Sequence, residues 1–376
     1  MQYDYIISGA GCAGLSLAMH IINSGRLADK KILLIDKDPK RANDRTWCFW
    51  EKDKGLFESI VVKEWEKVSF IGEGFNDELS LNPYTYKMIR GIDFYNYCLE
   101  EIGKQPNFTL RFEEVNKVFS NSKTGIIVNE EPVYAEYVFN SILFEKPRLT
   151  SKQYWLLQHF KGWVIETEGN EFNKDRATLM DFRPSQLNGT TFCYILPFSS
   201  NKAVVEYTLF SKSLLSPQEY DFQLKEYINN ILQIKSYKII EEEFGVIPMT
   251  NFSFPSRLNN IINIGTAGGR TKGSSGYTFQ SIQKQSRDIV QHLLKNEEPV
   301  SKKVPARFTF YDSVLLHILY KNALPGKKVF TDLFKKNQTA SVLKFLDNES
   351  SLTEELKIIA SLPTWPFLKA AVDQMT

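Results

Sequence analysis

The first residues whose types and spacing could do chemistry are Gly9, Gly11 and Gly14, in the run Gly9-Ala10-Gly11-Cys12-Ala13-Gly14. A first glycine permits a tight turn, a second lets a pyrophosphate reach the backbone, and a third lets the following helix pack closely. Asp36 lies about 20 residues further on, where a carboxylate accepts the ribose hydroxyls of an adenosine. This is the chemistry of holding a dinucleotide. A second cluster, Gly265-Thr266-Ala267-Gly268-Gly269, stands far downstream. Each cluster needs a strand before it and a helix after it, because the helix N-terminus carries the partial positive charge that holds phosphates. Tyr3 to Ser8 reads as the first strand, and Leu15, Ala18, Met19 and Ile22 as a helix stopped by Gly25. The strand Lys31 to Ile35 delivers Asp36. Asn260 to Ile264 reads as the strand before the second cluster, with a helix from Ser275 or Tyr277 to Leu294 after it. A glycine turn without a ligand is the bland alternative, and the motif alone leaves NAD and FAD both open.

Composition bounds what surrounds these turns. With 376 residues the chain exceeds the ~250 to 300 at which one core stops growing, so two packed units are expected. At 43% hydrophobic and 24% charged residues it is globular, which excludes disorder and collagen. No apolar run reaches ~18 residues, and the mean hydropathy is -0.29. The N-terminus shows no basic segment and no cleavage site, so the cytoplasm is expected. Cys12, Cys48, Cys98 and Cys193 have no CxxC spacing, and the four histidines form no HxxxH pair, so no metal site is expected. A net charge of +2 excludes nucleic-acid binding by phosphate neutralisation. The 27 Phe, 17 Tyr and 6 Trp exceed what a core of this size needs and point to a large apolar ligand.

The pattern along the chain predicts an α/β (α+β) fold of three parts. Residues 1–65, 85–150 and 255–300 read as a discontinuous, Rossmann-like cofactor domain. Residues 66–84 and 151–254 read as an interleaved antiparallel-sheet substrate domain, with strands at 162–167, 177–183, 190–198 and 202–210. Residues 301–376 read as a C-terminal helical subdomain.

At fold level the two glycine clusters resemble FAD enzymes of the para-hydroxybenzoate hydroxylase type, whose second motif is usually Gly-Asp-Ala; Thr266 stands here in place of that Asp. A closer resemblance follows from Asp44-Arg45-Thr46-Trp47-Cys48-Phe49-Trp50, Gln158 to Trp163, Met180-Asp181-Phe182-Arg183, Tyr194 to Phe198, Val204-Val205-Glu206-Tyr207-Thr208 and Gly265 to Phe279. These look like the FAD-dependent lycopene cyclases of carotenoid synthesis, in family order and over nearly the whole chain. The family's acidic motif Phe-Leu-Glu-Glu-Thr keeps its first glutamate as Glu206 and its threonine as Thr208, while Tyr207 replaces the second glutamate.

The resemblance implies FAD, active when reduced, held by Gly9, Gly11, Gly14, Asp36, Arg45, Gly265, Thr266, Gly268 and Gly269, with NAD(P)H as reductant. It implies lycopene or a related acyclic carotenoid as substrate. Ring closure needs a carboxylic acid kept protonated by apolar surroundings, which makes Glu206 the expected acid. It also needs aromatic faces for a carbocation, and Trp47, Trp50, Trp163, Tyr207 and Tyr277 are the expected lining. The alternatives stay open: Glu206 as a solvated strand residue, the tryptophans as core, Arg90 as a surface ion pair, His159 as a structural histidine. An oxidoreductase acting on an apolar substrate is the rival function.

A substrate of this class resides in the bilayer, so peripheral contact with the inner face of the membrane is expected. Val329, Phe330, Leu333 and Phe334, flanked by Lys327, Lys328, Lys335 and Lys336, would suit interfacial docking on one helix face. Burial of that face in the C-terminal subdomain is the competing expectation.

Overall fold

The computed structural model describes residues 2–375, so positions 1 and 376 of the expected terminal segments lie outside the described residues. The chain opens with β1 (Gln2–Ser8), α1 (Cys12–Ser24) and β2 (Ile32–Asp36), then β3 (Thr46–Glu51), β4 (Lys63–Trp65), β5 (Lys67–Gly72), β6 (Phe75–Ser80) and β7 (Thr85–Arg90). It continues through α2 (Gly91–Gly103), β8 (Phe108–Phe112), β9 (Val115–Ser120), β10 (Thr124–Val128) and β11 (Glu131–Asn140). Next come β12 (Trp155–Thr167), β13 (Ala177–Asp181), β14 (Thr190–Pro197), β15 (Lys202–Ser211), α3 (Pro217–Glu226), β16 (Tyr237–Thr250), β17 (Arg257–Leu258) and β18 (Ile261–Asn263). The helices α4 (Phe279–Leu293), α5 (Ala306–Lys321), α6 (Gly326–Lys336), α7 (Thr339–Leu346), α8 (Leu352–Ser361) and α9 (Thr364–Met375) follow.

One sheet runs in the order β17-β18-β11-β1-β2-β8, with β9 and β10 attached through β11. Its central neighbours β1, β2, β11, β18 and β8 pair in parallel. Parallel strands are covered on both faces and so read as continuous apolar runs. Ile32, Leu33, Leu34 and Ile35 accordingly show no exposure.

A second sheet runs β16-β12-β15-β14-β13-β5-β6 and is antiparallel except between β13 and β5. Both its faces are covered over the inner strands β12, β14 and β15, while the edge strand β16 is mostly half-buried or exposed. Val204, Phe210, Phe192 and Tyr194 pack into one core with the C-terminal helices. Trp163, Val205, Tyr207 and Leu209 pack into another with Tyr220, Leu224 and Tyr227 from α3 and the turn after it. From the third sheet, β3-β7-β4, Phe49 and Ile89 pack into the core of the parallel sheet and Trp50, Trp65, Tyr86 and Met88 into that of the antiparallel one.

Helix α6 decides between the two expectations for its apolar face in favour of burial. Val329, Phe330, Leu333 and Phe334 are all 5% exposed or less. The rings of Phe330 and Phe334 lie against Phe182, Phe210 and Phe70. The stripe that would have faced lipid is core, because a helix with one apolar face is stabilised most where that face is removed from water. Among the described residues no helix is long and apolar enough to cross a membrane.

Candidate active site

The three glycines of the first turn have separate physical reasons. Gly9 has φ 97°, a left-handed conformation, and a Cβ there would lie 2.2 Å from Ser141 Oγ. A Cβ at Gly14 would lie 1.9 Å from the Gly9 carbonyl oxygen, so α1 packs directly on the turn. At Gly11, the N-cap of α1, a Cβ would meet no atom within 4 Å. That open space before a helix N-terminus is a cradle for an anionic group. Asp36 accepts hydrogen bonds from the amides of Ala10 (2.6 Å) and Asp38 (2.8 Å) and pairs with Lys40 at 3.4 Å. Its carboxylate thereby ties the end of β2 to the turn.

The second glycine cluster is brought against the first. Gly265 has φ 57°, and a Cβ on it would meet the Ala13 Cβ at 2.6 Å. A Cβ on Gly268 would lie 2.2 Å from the Asn263 carbonyl oxygen, and Gly269 closes the turn at φ 69°. The Thr266 hydroxyl hydrogen-bonds Thr271 at 3.0 Å. Gly11, Arg45, Gly265, Thr266 and Tyr277 line one cavity of about 330 Å³ together with Glu206. The buried oxygens Gln158 Oε1 and Ser275 Oγ, on two lining residues, have no partner among the described residues. The open Gly11 cradle, the adjacent Arg45 and these unpaired oxygens fit a phosphate-bearing, polar-edged cofactor. Thr266 and Tyr277 also border a neighbouring cleft of about 1200 Å³.

Glu206 sits mid-strand in β15, 9% exposed. Its register neighbours are Tyr194 on β14 and Gly162 on β12. Glu243 on β16 also stands opposite Gly162, so both glutamates share one sheet face across a residue without a side chain. A Cβ at Gly162 would press on the Glu243 carboxyl at 2.9 Å. Thr208 donates to Glu206 Oε1 at 2.5 Å, and Thr46 to Glu243 Oε2 at 2.8 Å. Burial pushes the Glu206 carboxyl well above the usual carboxylate range, and the neighbouring Glu243 pushes it further. Burial raises Glu243 as well. Burial also holds Tyr194, Tyr277 and Cys48 in their neutral forms.

The expected aromatic lining divides. Trp47 and Tyr277 line the cavity with Glu206. Trp50 borders the larger cleft, packs edge-on against Tyr277 at 4.6 Å, and donates to Asp347 at 2.7 Å. Trp163 and Tyr207 do not belong to the site. Side chains alternate along a strand, so they project to the opposite sheet face and pack with α3. Aromatic residues that sequence reasoning passed over stand nearer: Tyr194 directly opposite Glu206, Phe160 over Gly245, and Tyr86. Glu243 was also missed. It ends the run Glu241-Glu242-Glu243, which reads as solvated, and only the edge pairing of β16 turns its third member inward.

Arg90 pairs with Glu241 at 2.9 Å. His159 is fully buried, bonded to Ser211 Oγ at 2.7 Å and to the Tyr220 hydroxyl. Burial lowers its pKa to about 4, so it is a neutral structural group. No cluster of potential metal ligands occurs among the described residues.

Two converging glycine turns on a parallel sheet, with a broad antiparallel sheet over their shared cavity, define the FAD-dependent oxidoreductase fold of the para-hydroxybenzoate hydroxylase type. A geranylgeranyl bacteriochlorophyll reductase-like protein from Thermoplasma acidophilum superposes with a TM-score of 0.63 over 99% of both chains at 16% identity. The flavin-dependent brominase Bmp2 does so at 0.60 and 12% identity, again over 99% of both chains. Residues 4–372 match the family model described as lycopene cyclase protein, and the chain belongs to that family. It is 28% identical over 300 residues to a chloroplastic neoxanthin synthase of Solanum tuberosum, covering 73% of this chain and 57% of that one. It is 26% identical over 305 residues to the chloroplastic lycopene beta cyclase of Arabidopsis thaliana, covering 73% and 56%. The chain thus spans little more than half the length of these relatives.

Proposed function

We propose that this chain is a lycopene cyclase that closes β-rings at the ψ-ends of lycopene by acid catalysis, without net redox change. The observation that carries the reading is Glu206, a carboxyl held protonated by burial in an aromatic-lined cavity that opens onto the glycine turns. Glu206 would give its proton to the terminal trisubstituted alkene. The tertiary cation is then captured by the internal double bond, and loss of a ring proton leaves an isomer of the substrate. Tyr194, Tyr277, Phe160 and Trp47 would face the cation, each desolvated π-face contributing about 2 kcal/mol or more. A dry cavity keeps water from trapping the cation as an alcohol.

Gly11, Arg45, Gly265 and Thr266 would hold FAD, which in its reduced, anionic form supplies negative charge beside the cavity. NAD(P)H would load the flavin and would not be consumed with each turnover. In this reading the enzyme is an isomerase of the intramolecular lyase kind. Because its substrate is a membrane carotenoid, it works at a lipid surface, through elements other than the buried face of α6.

Expression in a lycopene-accumulating cell, followed by mass spectrometry and chromatography of the carotenoids, tests the reading. Ring products of unchanged mass are expected. A product whose mass reports added oxygen or hydrogen, formed one-to-one with NAD(P)H oxidation, would replace it with the flavin-dependent oxidoreductase that the fold also serves.

A further inference from the structure

We propose that Glu206 and Glu243 act as one proton-sharing pair across Gly162, with Glu243 as the positioning residue that keeps the working proton on Glu206. This deepens the cyclase reading and rests on it for the identity of the proton acceptor.

Three observations place the pair. The register sets both glutamates opposite Gly162, from the two strands that flank β12. The missing side chain at Gly162 opens the gap between them, since a Cβ there would already touch the Glu243 carboxyl. The buried Oε1 of Glu243 has no hydrogen-bond partner among the described residues, and Glu206 is the carboxyl whose charge and hydrogen bonding act on it. A buried carboxylate oxygen without a donor is costly. One proton lying between the two groups would satisfy it.

The outer oxygens are held by hydroxyl donors, Thr208 on Glu206 and Thr46 on Glu243. Only Glu206 lines the cavity, so the pair has a front member that meets substrate and a rear member that does not. In turnover the proton leaves Glu206 for an alkene carbon, the π electrons form the ring bond, and the ring C–H proton returns to the Glu206 carboxylate. The pair ends with the proton it began with. Loss of that proton without substrate would leave two adjacent carboxylates in a dry site, which like-charge repulsion opposes.

The charged groups around the pair are themselves partnered, and the charges of Asp44 and Glu241 push the Glu243 carboxyl further up. Glu241 is bound by Arg90 at 2.9 Å and Asn43 at 3.0 Å, and Asp44 by Arg45 at 2.8 Å and the Tyr95 hydroxyl at 2.8 Å. Tyr194, Tyr277, Tyr86 and Cys48 face the pair and are held neutral by burial. His159 lies on the other face of β12.

Infrared titration of the protonated-carboxyl stretch in purified protein, without lycopene, reads the pair directly. Wild type should show a carboxyl that stays protonated above neutral pH, and Glu206→Gln should replace that titration with the lower one of Glu243 alone. Glu243→Gln removes the neighbouring charge, so the remaining carboxyl should titrate at least about one unit lower, and the alkaline limb of kcat should shift the same way with KM unchanged. Thr46→Val removes the hydrogen bond that favours ionised Glu243, so the midpoint should rise. A Glu243→Gln midpoint equal to wild type, or a wild-type Glu206 ionised at pH 6, overturns the pair. Should Glu243→Gln not fold, Thr46→Val alone decides, and an unmoved midpoint there has the same force. An intact infrared signature in a protein that makes no rings would overturn the cyclase reading and leave the pair standing.

Discussion

Glu206 and Tyr207 are neighbours in the chain and face opposite ways across β15, Glu206 toward Tyr194 and the cavity, Tyr207 into the core beneath α3. The site therefore contains the glutamate and not the tyrosine, although the family motif writes acidic residues at both places. Glu206→Gln should lower cyclisation by at least ~10² to 10⁴, the usual worth of a positioned general acid. FAD content should be retained. Tyr207→Phe should cost about 1 kcal/mol of stability and leave ring formation near wild type. Chromatography of carotenoids at matched protein level checks both, and a severe Tyr207→Phe defect in correctly folded protein would contradict the face assignment.

Gly162 is the spacer between the two glutamates. Gly162→Ala adds a methyl that must displace the Glu243 carboxyl, the flexible end of a side chain, so the fold should tolerate it within about 1 kcal/mol. Misplacing a catalytic pair by a fraction of an ångström to an ångström costs up to about 10²-fold in rate. Activity should fall while the melting temperature hardly moves. Equal loss of both would make Gly162 a folding residue only.

At Gly11 the space in front of the backbone is open. Gly11→Val should therefore fold, since no protein atom is displaced, and should lose FAD because the branched side chain fills the cradle. Flavin absorbance per mole of purified protein is the measurement. Stoichiometric flavin in the variant would mean the turn is not the phosphate site.

Burial lowers His159 from its ordinary 6.5 to about 4. The unfolded chain then binds a proton that the folded chain refuses, so stability is complete above pH 6.5 and declines as the pH falls toward 4. The loss attributable to His159 is roughly 3 kcal/mol. Urea unfolding at pH 7 and pH 4 should show a smaller acid-induced loss in His159→Gln than in wild type. Identical losses would assign the acid sensitivity elsewhere; His20, also lowered to about 4 by burial, is the next group to change.

Much was legible along the chain because it is local. The spacing of Gly9, Gly11, Gly14 and Asp36 encodes a turn, a helix start and a strand end within one short unit, and all three form there. The second cluster reads the same way, although the close approach of Gly265 to Ala13 depends on folding. Glu206 stood out through the resemblance alone. By alternation it reads as a solvated strand residue, and what buries it is that β15 is covered on both faces, a fact no single strand's pattern contains.

Trp163 and Tyr207 were misplaced, and Tyr194 and Glu243 overlooked, for one reason. Which of two strand faces meets the cavity depends on what packs against the sheet, and which residues stand opposite each other depends on a register between residues as far apart in the chain as Trp155 and Thr250. The same holds for α6, whose amphipathic pattern suits lipid and core equally until Phe70, Phe182 and Phe210 arrive to cover it. The sequence by itself determined the two glycine turns and, through the family resemblance, singled out the glutamate in its apolar run. Tertiary structure alone decided which groups share the cavity, because burial and pairing are properties of surfaces brought together from distant parts of the chain.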